Sequence, residues 1–544
     1  MRALLLAGAA MALVTAPLST AGAQSGEAQA SAQIDKVIDE GLSHSQAMAS
    51  ASELMDGIGP RLTHSENIER ARDWAVAKFA AYGLSNVHKE PYRFGMGWNL
   101  DSWSAAMVSP RPLVMRAIPV AWSPATAGTL RAPVILAPMT RKENFDAWRG
   151  KLAGKIVMVS LPGTGSEPDK PAFRRLEAGD IAKNDHFDLP TGEDEDDARF
   201  IKRVMFAGEL SEFLKSEGAV GMVRMSVRDG GLVHGEGYNL APDHGLALPF
   251  MELAAEDYRR LARLEVTGQG TGTAPTMEMA IAARFDRSNL DDANVIADIP
   301  GRDPKAGYVM AGGHFDSWIA GDGASDNGAG TVVVMEAARI LAKMPKPRRT
   351  IRFALWTGEE QGLLGSIAYI EQHMATRGLD PNVLGLERMQ RWTTAWPIAT
   401  KPGYSEMKAY FNLDNGSGKI RGIYGEGNIA AIPTLQKWLK PFASMGADSV
   451  VAGRTGGTDH QYMQAIGLPA YQFLQDPLDY GSRVHHSSID TVDHMKADDI
   501  RQAATIMAGM LWQAANSDTE LPRPPLPTRP SKPDPFVVKD PNAQ

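Results

Sequence analysis

The chain has no cysteine among its 544 residues. Disulfides, thiolate zinc knots, iron–sulfur clusters and cysteine nucleophiles are therefore excluded together. Any metal must be held by His, Asp and Glu, a donor set that favours a catalytic over a structural site. Basic charge is also in short supply, with 56 Lys and Arg against 64 Asp and Glu and a net charge of −8. A nucleic-acid binder needs a basic face to neutralise phosphates, so no nucleic-acid partner is expected. Past the N-terminus no stretch approaches the ~20 apolar residues of a membrane span. Several catalytic signatures are missing as well: there is no Gly-x-Ser-x-Gly elbow, no phosphate-binding Walker loop and no His-Glu-x-x-His. Gly321-Asp322-Gly323 could open a dinucleotide fingerprint, but the third glycine position holds Asp326.

What is present is a globular composition, 43% apolar and 22% charged, with length enough for two to four domains. Arg2, an apolar run from Ala3 to Ala16 and the small-residue stretch Ala21-Gly22-Ala23 read as a signal peptide over residues 1–23. An exported protein, periplasmic or secreted and free of thiols that could mispair, is expected. Ile34 to Tyr92 reads as helical, and residues 34–97 are assigned to the first part of a catalytic domain. Between residues 98 and 283 the texture changes to short β-like runs, such as Ala132–Ala137 and Lys155–Ser160. The acidic run Glu193–Asp197 lies there without EF-hand spacing and reads as a solvated loop. From 284 to 520 strand, loop and helix alternate, which predicts an α/β domain with a mostly parallel sheet and helices on both faces. Residues 521–544 hold eight of the 35 prolines and read as a tail.

Metal-ligand side chains recur where those strands end, the usual place for a site in an open α/β sheet. Tyr308–Ala311 runs into Gly312-Gly313-His314-Phe315-Asp316, and Asp326 follows just before a helix. Ile351–Trp356 ends at Glu359-Glu360, Met407–Leu413 at Asp414, and Pro469–Leu474 leads to His485-His486. Each piece alone is weak: Glu359-Glu360 could be two charges at a helix start. Together, two imidazoles and three carboxylates without a thiol suit a pair of zinc-like cations.

These motifs resemble the dinuclear-zinc exopeptidases that include leucyl aminopeptidases and glutamate carboxypeptidases, above all the plasma glutamate carboxypeptidase branch. The resemblance rests on Gly313–Trp318, Leu355–Gly362, His485–Ser487 and Met55–Thr63. It implies a zinc-exopeptidase fold, with a protease-associated-type insert over 98–283 and the main peptidase domain over 284–520. It also implies two zinc ions, or other divalent metals, per chain. Asp326 bridges them, His314 and Asp414 complete one site, and Glu360 and His486 the other. His486 is preferred to His485 because it precedes Asp490-Thr491 by four residues. Glu359 is implied as general base, Asp316 as the carboxylate that orients His314, and Thr458, Asp459 and His460 as substrate-loop residues. The Asp326–Asn327 bond matches a cis bond of the family. One departure is the long insertion Asp380–Glu406, which leaves the pocket rim undefined.

The expected reaction is hydrolysis of dipeptides or short peptides by metal-activated water. Glutaminyl cyclisation, acyl-amino-acid hydrolysis and a catalytically dead binding module stay open as alternatives, and the number of metals separates the first of these. An exopeptidase also needs a group to hold a free terminus, for which Arg454, Arg483 and several acidic residues nearby are alternatives. A homodimer is compatible with the sequence.

Overall fold

The computed structural model describes residues 20–165, 171–187, 195–238, 245–268, 274–380 and 382–528. Four strands form the centre of an eight-stranded sheet, in the order Thr350–Trp356, Tyr308–His314, Met407–Asn412 and Ala470–Gln475. All three pairings among them are parallel, so their carboxyl ends share one edge. Outside this centre the sheet is mixed, because Asp291–Ile299 and Ile420–Tyr424 pair antiparallel to their inner neighbours. The strands are buried on both faces, which explains why they read as short continuous apolar runs rather than alternating ones.

Helices cover both faces. Ala329–Ala342 and Ala497–Asn516 lie in one core with the N-terminal helices Ala47–Met55 and Glu66–Ala81. In the first of these, residues 329–341 are all buried, as a helix apolar on every side requires. Tyr410, Trp356, Ile370 and Trp392 build the core on the opposite face. The helical reading of Ile34–Tyr92 is corrected at its end. Ser85–Arg93 is a strand that pairs antiparallel with Asp291–Ile299 at the sheet edge. It follows the left-handed Gly83, which ends the preceding helix.

Residues 97 to 286 build a second eight-stranded sheet, running from Leu113–Val114 at one edge to Ala117–Pro119 at the other. Its long members, Gly97–Ser109 and Thr276–Asp286, pair antiparallel and carry the chain out of and back to the first sheet. This stretch is not purely β, since it also holds the helices Glu195–Ser216 and Ala255–Gly268. Of the acidic run, Glu193 and Asp194 lie outside the described residues, whereas residues 195–197 open a helix and are not a loop. Acidic residues at a helix start complement its dipole. Of the predicted signal peptide, residues 1–19 lie outside the described residues and residues 20–23 open the helix Thr20–Ser43.

The insertion at 380–406 carries the helix Gly385–Thr394, with Trp392 fully buried. The start of the proline-rich tail is held down. Leu521 is buried, and the Arg523 guanidinium donates to the Tyr404 carbonyl at 2.8 Å. Residues 529–544 lie outside the described residues. Among the described residues no helix is long and apolar enough to cross a membrane.

Candidate metal centre

The four parallel strand ends bring His314, Asp326, Glu359, Glu360, Asp414 and His486 together. Ligand atoms of His314, Asp326 and Glu360 lie within 4.8 Å of one another, and so do those of His314, Glu359 and Asp414. His314 ends its strand, and its Nε2 faces Asp326 Oδ1 at 3.2 Å and Asp414 Oδ1 at 3.3 Å. His486 Nε2 faces Asp326 Oδ2 at 3.1 Å and Glu360 Oε2 at 3.0 Å. Asp326 thus lies between the two imidazoles.

Local chemistry sets these positions. Gly312 allows the strand to approach its neighbours: a Cβ there would lie 2.6 Å from the Tyr410 hydroxyl and 2.7 Å from Trp356 Nε1. Gly358, at φ +69°, makes the turn that presents the two glutamates. The loop of Asp326 is held by Asp490, whose carboxylate accepts from the backbone N–H of Ser325 at 2.6 Å and of Asp326 at 3.0 Å. The Asp326–Asn327 peptide is cis. Arg61 is buried and braces both neighbouring loops, donating to the carbonyls of Phe315 at 2.8 Å and Asp322 at 2.7 Å.

Asp316 does not act on His314 through its side chain alone. The imidazole Nδ1 donates to the Asp316 backbone carbonyl at 3.0 Å, while the nearer carboxylate oxygen is 3.6 Å away. The carboxylate instead accepts from the Thr63 hydroxyl at 2.7 Å and from the backbone N–H of Glu359 and Glu360 at 3.4 and 3.3 Å. It therefore fixes the turn that carries both glutamates. Thr458 accepts from Asn412 Nδ2 at 2.9 Å. Asp459 is fully buried beside the cluster, its carboxyl pushed up to about 8 by burial, with Asp414 and Asp316 adding to the shift. His460 faces Glu426 and the Thr455 carbonyl, each at 3.2 Å. Arg483 pairs with Asp479 at 2.9 Å, and Arg454 lies exposed beside Gly427.

His485 also lies near Asp326, at 3.4 Å, and burial and the neighbouring His486 lower it to about 4. His486 makes the closer contacts, and its Nδ1 donates to Glu236 Oε1 at 2.8 Å. Glu236 belongs to the 97–286 stretch, and no spacing or motif in His234-Gly235-Glu236-Gly237-Tyr238 announces it. Sequence reasoning equally missed Thr63 as the partner of Asp316 and Asp490 as an anchor.

The donor set fits divalent cations. In both histidines Nδ1–H is committed to an acceptor, which leaves Nε2 as the atom that faces the carboxylate oxygens and could ligate a cation. Asp326 Oδ2, Glu360 Oε1 and Asp414 Oδ1 are buried and receive no hydrogen bond. Such groups are costly unless a cation or a proton lies between them. Protons answer in part: burial raises Glu359 well above the usual carboxylate range and Glu360 to about 7. A cavity of about 10 Å³ bordered by Asp326, Glu360 and His486 is sized for one water or one ion.

An α/β sheet with this donor set at its parallel strand ends is the arrangement expected of a metallo-exopeptidase hydrolase. Residues 294–511 match peptidase family M28, a span that holds every candidate ligand. The chain is similar to carboxypeptidase Q of Mus musculus, 25% identical over 475 residues that cover 86% of each chain. Its fold is similar to that of a peptidase M28 precursor from Shewanella amazonensis, with TM-score 0.64 and 23% identity over 92% of this chain and 99% of that one. A zinc aminopeptidase from Bacillus subtilis follows, with TM-score 0.53 and 18% identity over 87% and 95%.

Proposed function

We propose that this protein is an exported, zinc-dependent exopeptidase that hydrolyses dipeptides or short peptides. The observation that carries the reading is the pair of Nε2 atoms set against orphaned carboxylate oxygens, His314 against Asp414 Oδ1 and His486 against Asp326 Oδ2. Two divalent ions are assigned, one to His314, Asp326 and Asp414 and one to Asp326, Glu360 and His486. Zinc is favoured by this hard and borderline donor set and by the similarity to zinc aminopeptidases. When bound, the metals supply Lewis-acid polarisation of the scissile carbonyl and a lowered pKa for the attacking water.

Glu359 is assigned the proton transfer. It accepts the proton of the attacking water and delivers it to the leaving amine nitrogen, a contribution of about 10²–10⁴-fold. Burial raises this carboxyl, which makes it a stronger base once ionised. Asp316 positions the glutamate turn, and Thr458, Asp459 and His460 are assigned to the substrate loop. The stretch from 98 to 283 is read as an inserted domain between the two parts of the catalytic one. Export rests on the N-terminal sequence, and N-terminal sequencing of the mature protein should begin near Gln24.

The deciding experiment combines metal analysis with a panel of free and blocked dipeptides, assayed before and after chelation. Native protein should hold two ions per chain, and His486→Ala and Asp414→Ala should each lose about one ion or more. Full occupancy in both variants would remove the assignment. Activity on blocked termini alone would remove the exopeptidase reading.

A further inference from the structure

We infer that Glu236 is a positioning residue for His486, so that the metal centre is completed by the second sheet. The inference rests on the assignment of His486 as a metal ligand. The Glu236 carboxylate accepts from His486 Nδ1–H at 2.8 Å, which turns Nε2 toward Asp326 and Glu360. A carboxylate on the far nitrogen of a ligating imidazole sets its tautomer, holds the ring plane and raises its basicity. For His314 a backbone carbonyl of its own loop does this. For His486 the partner comes from 250 residues away in sequence.

Glu236 is itself held in place. The Arg224 guanidinium donates to the Glu236 carbonyl at 2.9 Å and to Glu252 at 2.8 Å, and the His234 backbone N–H donates to Glu252 at 2.7 Å. Arg224 and Glu252 sit on paired strands of the second sheet. The same stretch grips the His485-His486 loop on both sides. Arg228 donates to the His485 carbonyl at 2.5 Å, and the Ser488 N–H donates to the Val233 carbonyl at 2.8 Å. The loop that carries the last ligand is thus docked on the second sheet, and its imidazole is set by a charge from it.

Glu236 also borders a cavity of about 100 Å³ with Val204 and Tyr238, so a role as a substrate contact is the rival explanation. The test measures zinc affinity of the full-length protein without substrate, by competition with a chromophoric chelator, and the absorption bands of the cobalt-substituted form. Native protein is compared with Glu236→Gln, Glu236→Ala and His486→Ala. Glu236→Ala should weaken one of two sites about 10–100-fold and shift the cobalt bands. Glu236→Gln, whose amide oxygen still accepts from Nδ1–H, should lose less, and it decides the matter if the alanine variant does not fold. Zinc affinity within about twofold of native in both Glu236 variants overturns the inference, including when KM rises. If His486→Ala keeps both ions, the ligand assignment beneath it has failed instead.

Discussion

Glu359 and Glu360 share a turn, a burial environment and a backbone anchor in Asp316, yet they are assigned different work. Only Glu360 faces His486 and Asp326, while Glu359 lies with His314 and Asp414. Glu359→Gln keeps the volume and removes the proton acceptor. Metal content should survive while kcat falls about 10²-fold or more. Glu360→Gln should lose metal along with activity. If the pair were merely charges at a turn, both variants would keep near-normal turnover; side-by-side kinetics and metal analysis separate the readings. Asp316→Asn should act at one remove. Its single carbonyl oxygen cannot replace a carboxylate that accepts from Thr63, Glu359 and Glu360, so kcat should drop about tenfold or more with both metals retained. Metal loss in Asp316→Asn would instead make it essential to His314.

At the scale of elements, the catalytic strands were legible because buried parallel strands are short apolar runs that stop at glycine and polar residues. Tyr308–His314 and Thr350–Trp356 both do so, and the chemistry-bearing side chain follows at once. Ser85–Arg93 was not legible, since its Asn, His, Lys and Glu hide an edge strand that only pairing with Asp291–Ile299 defines. Glu236, Thr63 and Asp490 were invisible for a related reason: each acts across 160 residues or more, and no local pattern encodes such a contact. The 380–406 insertion carries no motif that defines its place, and its packing ties it to the catalytic domain. Met389 sits against the turn after the glutamates, where a Cβ on Gly362 would lie 2.8 Å from its sulfur. Arg377 stacks over Trp392 at 4.3 Å. Trp392→Ala should therefore cost about 3–5 kcal/mol in chemical denaturation and also lower kcat by loosening the Glu359 turn. Native turnover with reduced stability would show the insertion to be support without a link to the site.

Across the whole molecule, acid and metal should act on different parts. In the second sheet Glu252 is pulled down to about 2, for Arg224 and His234 outweigh the cost of its burial. A depressed carboxyl stabilises the fold above its unfolded value and loses that contribution as pH falls toward 2. Glu252→Gln should flatten the acid limb of a stability-against-pH curve below about pH 4.5, and an unchanged limb would show that the Arg224–Glu252 pair is not what acid breaks. The metal centre carries the opposite sign. Burial lifts Glu360 to about 7, and burial outweighed by Glu360 and Asp326 raises His486. A raised folded pKa stabilises most below the unfolded value and loses that effect as pH climbs through the folded one. The chelated protein should therefore weaken from about pH 5 to pH 8 as these groups give up their protons. In the loaded protein cations take the place of those protons, and competition from protons for the ligands eases as pH rises. The gap in Tm between loaded and chelated protein should thus be several degrees wider at pH 8 than at pH 6. Free zinc at about 100 times Kd is itself worth about 2.7 kcal/mol. Thermal melts at the two pH values, in matched buffers with and without chelator, measure that gap. A gap that stays constant or narrows toward pH 8 would mean that protons and metal do not compete for this cluster, and the metal would have to be sought elsewhere.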